Sequence, residues 1–198
     1  MRSAFTLMGL LTMIVSAGAF FAFSQRADAP MGIIHINQNS MPFTLRSSVF
    51  NEGESVPSKY TCDSDNISPE MLIENVPEGT VSFALLMDDP DIPDSVKQAR
   101  GIEVFDHWVL YNIPGETRIL GEGAIMGNQG LNSRGTEGYV GPCPPDKEHR
   151  YFFRLYALSG MLNFIKSPTL REVEEAAQGM MLGKAELMGR YERIQVKE

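Results

Sequence analysis

The stretch Val81 to Met87 (VSFALLM) is almost wholly apolar, and Asp88-Asp89-Pro90-Asp91-Ile92-Pro93 stops it at once. The run has the length of a strand, and its lack of alternation predicts burial on both faces. Two prolines and three carboxylates cannot continue a central strand, so the chain must leave the sheet there. A chain that holds such a strand has to supply neighbours along both of its edges and cover for both of its faces. That requirement limits the fold more than any other feature of the sequence.

Two further segments can serve as neighbours. Phe105 to Ile113 (FDHWVLYNI) alternates, with Phe105, His107, Val109 and Tyr111 on one face and Asp106, Trp108, Leu110 and Asn112 on the other. Pro114-Gly115 ends it. His149 to Leu158 (HRYFFRLYAL) places His149, Tyr151, Phe153 and Leu155 on one face. Shorter strands are expected at Phe43 to Ser47 and Met71 to Val76, and turn-rich connections at 51–59 and 64–69. A long irregular connection is expected at 121–138, and a stiff proline loop at Tyr139 to Pro145. Helix is concentrated late. Thr169 followed by Glu172 fits a capping box, which predicts a helix over Leu170 to Gln178. Ala185 to Met188 reads as a second short helical turn, and Tyr191 to Val196 as a closing strand. The expected class is mainly β, or α+β, with a C-terminal helix region.

The chain divides into three parts. Phe5 to Phe23 follows Met1-Arg2 and is apolar apart from scattered Thr, Ser and Gly. Two readings compete for residues 1–24, a cleaved signal peptide and a retained membrane anchor; both carry the rest of the chain across a membrane. Ala22-Phe23-Ser24 supplies small residues for cleavage, whereas at Ala27-Asp28-Ala29 a proline would follow the cut. Residues 25–41 read as a linker, and His35 within it as a solvated side chain. The domain is expected to occupy 42–198 and to be exported, periplasmic or secreted. Export permits a disulfide between Cys62 and Cys143, the two cysteines of the chain. Two packed thiols are the alternative, because sequence does not give their separation. A formal net charge of -8 without any Lys/Arg cluster argues against nucleic acid as a partner.

Chemistry concentrates at three places: the turn after Val81 to Met87, His107, and Gly141 to Tyr151 (GPCPPDKEHRY). Each joins a strand end to a stiff loop, where a rigid scaffold presents binding groups. An inward histidine needs a partner, because burial disfavours its charged form. Asp89 can supply one, and His107 and His149 would then donate charge-assisted hydrogen bonds to an anion. Taken singly, each residue also has a plain structural reading: a satisfied core histidine, an Asx turn, a proline turn.

The segments DDPDIP (Asp88 to Pro93), DHWVLYNIP (Asp106 to Pro114) and YVGPCPPDKEHRYFFRLYAL (Tyr139 to Leu158) resemble, in this order, the signature blocks of the phosphatidylethanolamine-binding protein family. That family includes the Raf kinase inhibitor proteins, and the likeness is greatest to its bacterial YbhB/YbcL branch. YTCDSDNISPEM (Tyr60 to Met71) matches more weakly. The resemblance implies a central antiparallel β-sheet with a small anion pocket at its edge. It maps that pocket onto Asp89, His107, Gly141, Pro145 and His149, with Asp91, Trp108 and Tyr151 in support. It departs from many eukaryotic members at Ile102, where they carry a pocket tyrosine, and at Pro142-Cys143, so their ligand range does not carry over.

The function expected is therefore non-catalytic binding of a small anionic or phospholipid head-group ligand, with no cofactor and no metal. Two alternatives stand beside it. One is a protein-interaction module that inhibits a protease or a kinase. The other is a metal-dependent hydrolase built on Asp89, His107 and His149, although the sequence has no HExxH helix, no G-x-S-x-G elbow and no Walker loop.

Overall fold

The computed structural model describes residues 41–193. The expected leader at 1–24, and the linker at 25–41 but for Met41, lie outside these residues. No helix among the described residues is long and apolar enough to cross a membrane.

A five-stranded antiparallel sheet forms the centre. Its strands are β3 (Ser82–Asp89), β4 (Phe105–Pro114), β6 (Asn128–Gln129), β7 (His149–Leu158) and β8 (Met181–Tyr191), in the order β6-β4-β3-β7-β8. The apolar run therefore sits in the middle strand, and all eight residues of β3 are buried. A second sheet of three short strands, β1 (Thr44–Ser47), β2 (Met71–Glu74) and β5 (Ile119–Leu120), is ordered β1-β2-β5. Leu45, Met71, Ile73 and Leu120 of this sheet pack with Phe83, Leu85, Met87, Leu110, Phe153 and Leu155 in the larger core. The helix α2 (Leu170–Ala177) covers the opposite face, where Leu170, Val173 and Ala177 meet Ala84, Leu86, Val109 and Tyr156. Fully burying each such side chain contributes about 1.5–3 kcal/mol, which is why a strand apolar on both faces ends up between two layers. The capping box at the start of α2 forms as expected: Glu172 N–H donates to Thr169 Oγ1, and Thr169 N–H to Glu172 Oε2.

Three features differ from the sequence expectations. The helix α1 (Asp94–Arg100) follows Pro93, and Gly101 closes it at φ 65°. None of its residues is buried, so it carries no apolar period to read. The expected helical turn at Ala185 to Met188 is instead part of β8, which pairs with β7 over its whole length. Lys, Ala, Glu, Leu and Met favour helix locally, but the β7 ladder and an inward row of Ala185, Leu187 and Tyr191 override that preference. The closing strand thus ends at Tyr191 rather than beginning there, and 194–198 lie outside the described residues.

The third difference concerns β4. Met87 pairs with Trp108 and Asp88 with Asp106, which leaves His107 as the extra residue of a bulge. Trp108 and Leu110 face the larger core and Val109 and Tyr111 the helix side, as alternation requires. His107 departs from its expected face: its ring lies 5.2 Å from that of Tyr151, a residue of the Trp108 side. A second register shift, with Asn112 at φ 56°, lies between Leu110 and Ile113.

Candidate functional site

Antiparallel pairing brings the C-terminal end of β3 beside the N-terminal ends of β4 and β7. Asp89, His107 and His149, separated in sequence, consequently gather at one end of the central sheet and line one cavity of about 230 Å³. That volume suits a head-group-sized molecule rather than a drug-sized one, for which pockets of about 300–1,000 Å³ are usual.

Asp89 serves both as a turn former and as an ion partner. Its Oδ1 accepts the Asp91 N–H at 2.8 Å, and its Oδ2 lies 2.7 Å from His149 Nδ1. His149 Nε2 meets Asp146 Oδ1 at 2.8 Å. Both nitrogens of His149 therefore face carboxylates. A neutral imidazole has one N–H, so two hydrogen bonds need one more proton, held on the second nitrogen or on a carboxyl. Burial raises the Asp89 pKa against the opposing pull of His149, whereas the hydrogen bond from His149 lowers that of Asp146.

His107 has a different environment. Its Nδ1 lies 2.6 Å from the Val140 carbonyl, which can only accept, so Nδ1 carries the proton. Burial pushes the pKa down to about 4, although the carbonyl works in the other direction. The ring is thus neutral near pH 7, and Nε2 is an acceptor. Burial thus works against the expected charged form of His107, while the Val140 contact leaves Nε2 free for a ligand. Asp89 partners His149 rather than His107, and His107 offers a lone pair.

One wall of the cavity is built to be rigid. Gly141 N–H donates to Asn66 Oδ1 at 2.8 Å. A Cβ at Gly141 would meet the Tyr60 carbonyl, and would lie 2.6 Å from Asn66 Oδ1 and 2.9 Å from Thr61 Cα, so only glycine fits. Cys62 N–H donates to the Pro142 carbonyl at 3.1 Å, and Cys62 is bridged to Cys143 with Cα atoms 5.4 Å apart. Val140 N–H returns to the His107 carbonyl at 2.9 Å. Pro145 completes this side.

The opposite wall comes from α1 and the turn at 132–135. Ile92, Pro93, Val96 and Phe105 supply apolar surface, and Arg100 and Arg134 supply charge. Asn132 organises the turn: its Oδ1 accepts the Arg134 N–H at 2.9 Å, and its Nδ2 donates to the Gly138 carbonyl.

The other expected residues stand behind the lining. Tyr151 is fully buried beneath both histidines, 5.2 Å from the His107 ring and 6.5 Å from that of His149. Trp108 packs edge-on against Tyr139 at 5.5 Å, which supports the Val140 wall. Asp91 binds the Arg150 guanidinium at 2.7 and 2.8 Å, and that contact lowers its pKa to about 2. Ile102 does not line the cavity. Sequence reasoning missed Asn66, Arg100, Arg134 and Asp146. Asp146, three residues before His149 in the GPCPPDKEH segment, was open to detection; the isolated arginines carried no motif.

The chain is similar in sequence and fold to known proteins. A family model described as phosphatidylethanolamine-binding protein matches residues 46–192. A UPF0098 protein of Methanothermobacter thermautotrophicus is 42% identical over 156 residues, covering 75% of this chain and 98% of its own. A UPF0098 protein of Chlamydia pneumoniae is 43% identical over 150 residues, covering 75% and 98%. Among solved structures, the phosphatidylethanolamine-binding protein homologue CT736 of Chlamydia trachomatis superposes with a TM-score of 0.73 at 38% identity, covering 77% of this chain and 99% of that one. E. coli YbcL, described as a new member of the mammalian PEBP family, gives 0.68 at 29% identity, covering 78% and 100%.

Proposed function

The chain belongs to the phosphatidylethanolamine-binding protein family, and from that premise we propose that it is a non-catalytic binding protein for a small anionic ligand of the phosphoethanolamine type. The observation that carries this reading is the convergence of Asp89, His107 and His149 on one open, head-group-sized cavity. The cavity combines few polar groups with apolar walls, which is the usual make-up of a small-molecule site.

A catalytic reading finds less support. Both nitrogens of His149 are engaged by carboxylates and Nδ1 of His107 by a carbonyl, so a two-histidine, one-carboxylate metal site would have to break existing hydrogen bonds. The proposed setting is outside the cytoplasm, in a periplasm or a secreted fluid. The Cys62–Cys143 bridge supports it, since oxidising compartments are where structural disulfides persist.

Calorimetric titration of the purified protein with phosphoethanolamine tests the proposal. Saturable binding is expected, weakened by about 10-fold or more in His107→Ala, which removes a buried ring from the cavity floor. Absence of binding to the wild type at millimolar ligand would overturn the reading, and so would equal affinity in a folded His107→Ala variant.

A further inference from the structure

The strand β8 forms one edge of the central sheet, and only its C-terminal end is covered. There Gly53 N–H donates to the Met188 carbonyl, Val56 N–H to the Arg190 carbonyl, and Arg190 N–H to the Glu54 carbonyl. Met188 N–H donates to Glu52 Oε2. Met188 and Arg190 therefore turn their backbone groups away from β7. From Gly183 to Tyr191 the pairing with β7 has no register shift, so Lys184 and Glu186 do the same. No hydrogen bond among the described residues reaches these outward groups of Lys184 and Glu186. A groove of about 520 Å³, bordered by Thr44 to Ser47 and by Glu186 and Leu187, opens beside them.

An uncovered edge is a template for another strand, and its side chains decide which strand fits. Ala185 and Leu187 point into the larger core, so Lys184 and Glu186 stand together on the other face. Both are exposed, and they have opposite charge. The Lys184 ammonium lies 5.5 Å over the Tyr156 ring and forms no ion pair among the described residues. Glu186 gives Oε2 to the Arg154 guanidinium at 3.0 Å, and its Oε1 has no partner among the described residues. Each thus keeps charge to offer outward, and the two are complementary to each other.

We propose that the β8 edge is an interface for a second copy of this chain, with the two β8 strands antiparallel about a two-fold axis through Ala185. In that register Lys184 stands opposite Glu186 of the second copy, and Glu186 opposite its Lys184. The same opposed residues carry the outward backbone groups, so each pair exchanges both N–H···O bonds beneath its ion pair. An axis on Lys184 or on Glu186 would set that residue against its own copy, like charge on like. An axis between two residues would oppose an outward-facing residue to an inward-facing one. Ala185 satisfies both the backbone and the charges, which is the self-complementarity a two-fold interface requires. The ladder stops where Gly53 covers Met188, so the interface is short. A weak dimer follows, with a dissociation constant of about 10–100 μM. Tyr191, beside the His149 of the cavity, lies at the far end of each strand from the axis, so each cavity stays whole within one copy.

Sedimentation of the full-length protein in a mild non-ionic detergent, over a concentration series reaching about 500 μM, tests this. The wild type is expected to dimerise. A carbodiimide, which joins an ammonium to a carboxylate in contact with it, should yield a covalent dimer carrying a Lys184–Glu186 amide, identified by mass spectrometry of the dimer band. Lys184→Glu and Glu186→Lys should each weaken the dimer by about 10-fold or more, because both ion pairs become repulsions. Mixing the two variants should restore association to at least the wild-type level, since every opposed pair is then of opposite sign. Both positions are exposed, so the variants are expected to fold, and melting curves check it. Residues 1–40 are the same in every sample, so association through that segment would not follow these charges. A wild type that stays monomeric would overturn the proposal, as it would if the edge took a strand from a different protein. A dimer indifferent to Lys184→Glu, or folded variants that fail to associate when mixed, would overturn it equally.

Discussion

The two walls of the cavity are made in opposite ways. The Gly141–Pro145 wall is held by a disulfide, by a glycine in close backbone contact, and by hydrogen bonds from Gly141 and Cys62 into and out of the 60–66 segment. The facing wall, α1 and the 132–135 turn, has no buried residue in its helix and exposes both arginines. The first wall gives the cavity its shape and the second its charge. Substitutions in the first should therefore cost folding and binding together, and those of the exposed arginines in the second binding alone.

The largest effect is expected where the rigid wall is covalent. The Cys62–Cys143 bridge spans a sequence separation of 81 residues. Replacing both cysteines by serine should lower unfolding free energy by about 4 kcal/mol in the chain-entropy account. Denaturant unfolding under oxidising conditions measures it, and a loss below about 1 kcal/mol would show that the wall does not depend on the bridge. Gly141→Ala should follow, at roughly 2–4 kcal/mol, because the new Cβ meets backbone atoms of Tyr60 and Thr61 as well as Asn66 Oδ1. Unchanged stability in that variant would mean the 60–66 segment moves freely, and the contrast between the walls would fail.

How much of this was open to reading from the chain follows the same division. The middle of the sheet was legible because burial on both faces leaves a continuous apolar run at β3, and β7 showed its alternation unchanged. The capping box fixed α2 to within a residue. Elements whose stability comes from partners elsewhere were not legible. The helix α1 has no apolar face, and β8 is written in helix-forming residues that the β7 ladder overrides. In the site, Asp89, His107 and His149 were readable as polar residues at strand ends. The protonation of His107 was not, because it depends on a bulge in β4 and on the carbonyl of Val140, both products of tertiary pairing. The arginines were invisible for a related reason: an exposed arginine is common, and only its unpaired position at a cavity mouth distinguishes it.

A smaller effect is expected beneath the charged wall. Asp106 is mostly buried under the 133 turn, its carboxyl makes no hydrogen bond among the described residues, and burial followed by the nearby Glu174 raises its pKa to about 6. Because the folded pKa lies above the unfolded value of about 3.9, its protonated form contributes stability that is fully present below about pH 4 and is lost as pH rises through 6. Asp106→Asn should accordingly be more stable than the wild type at pH 7.5, by on the order of 1–3 kcal/mol, with the difference vanishing near pH 4. Thermal unfolding at the two pH values reads this directly. A variant less stable than the wild type at pH 7.5 would mean the ionised carboxylate is held by a favourable partner.

The smallest stability effect should belong to Arg134, and it is the sharpest test of the contrast between the walls. Its side chain is exposed and forms no ion pair or hydrogen bond among the described residues, and its backbone is fixed by Asn132 whatever side chain it bears. Arg134→Gln should therefore stay within about 0.5 kcal/mol of the wild type in denaturant unfolding, as surface substitutions away from special contacts do. Asn132→Ala, by contrast, removes the acceptor for the Arg134 N–H and the donor to the Gly138 carbonyl from a buried position, and should cost roughly 1–3 kcal/mol. If Arg134→Gln proved as costly as Asn132→Ala, the guanidinium would be part of the framework. The charged wall would then be a structural element like its neighbour, and the separation of shape from charge across the cavity would be lost.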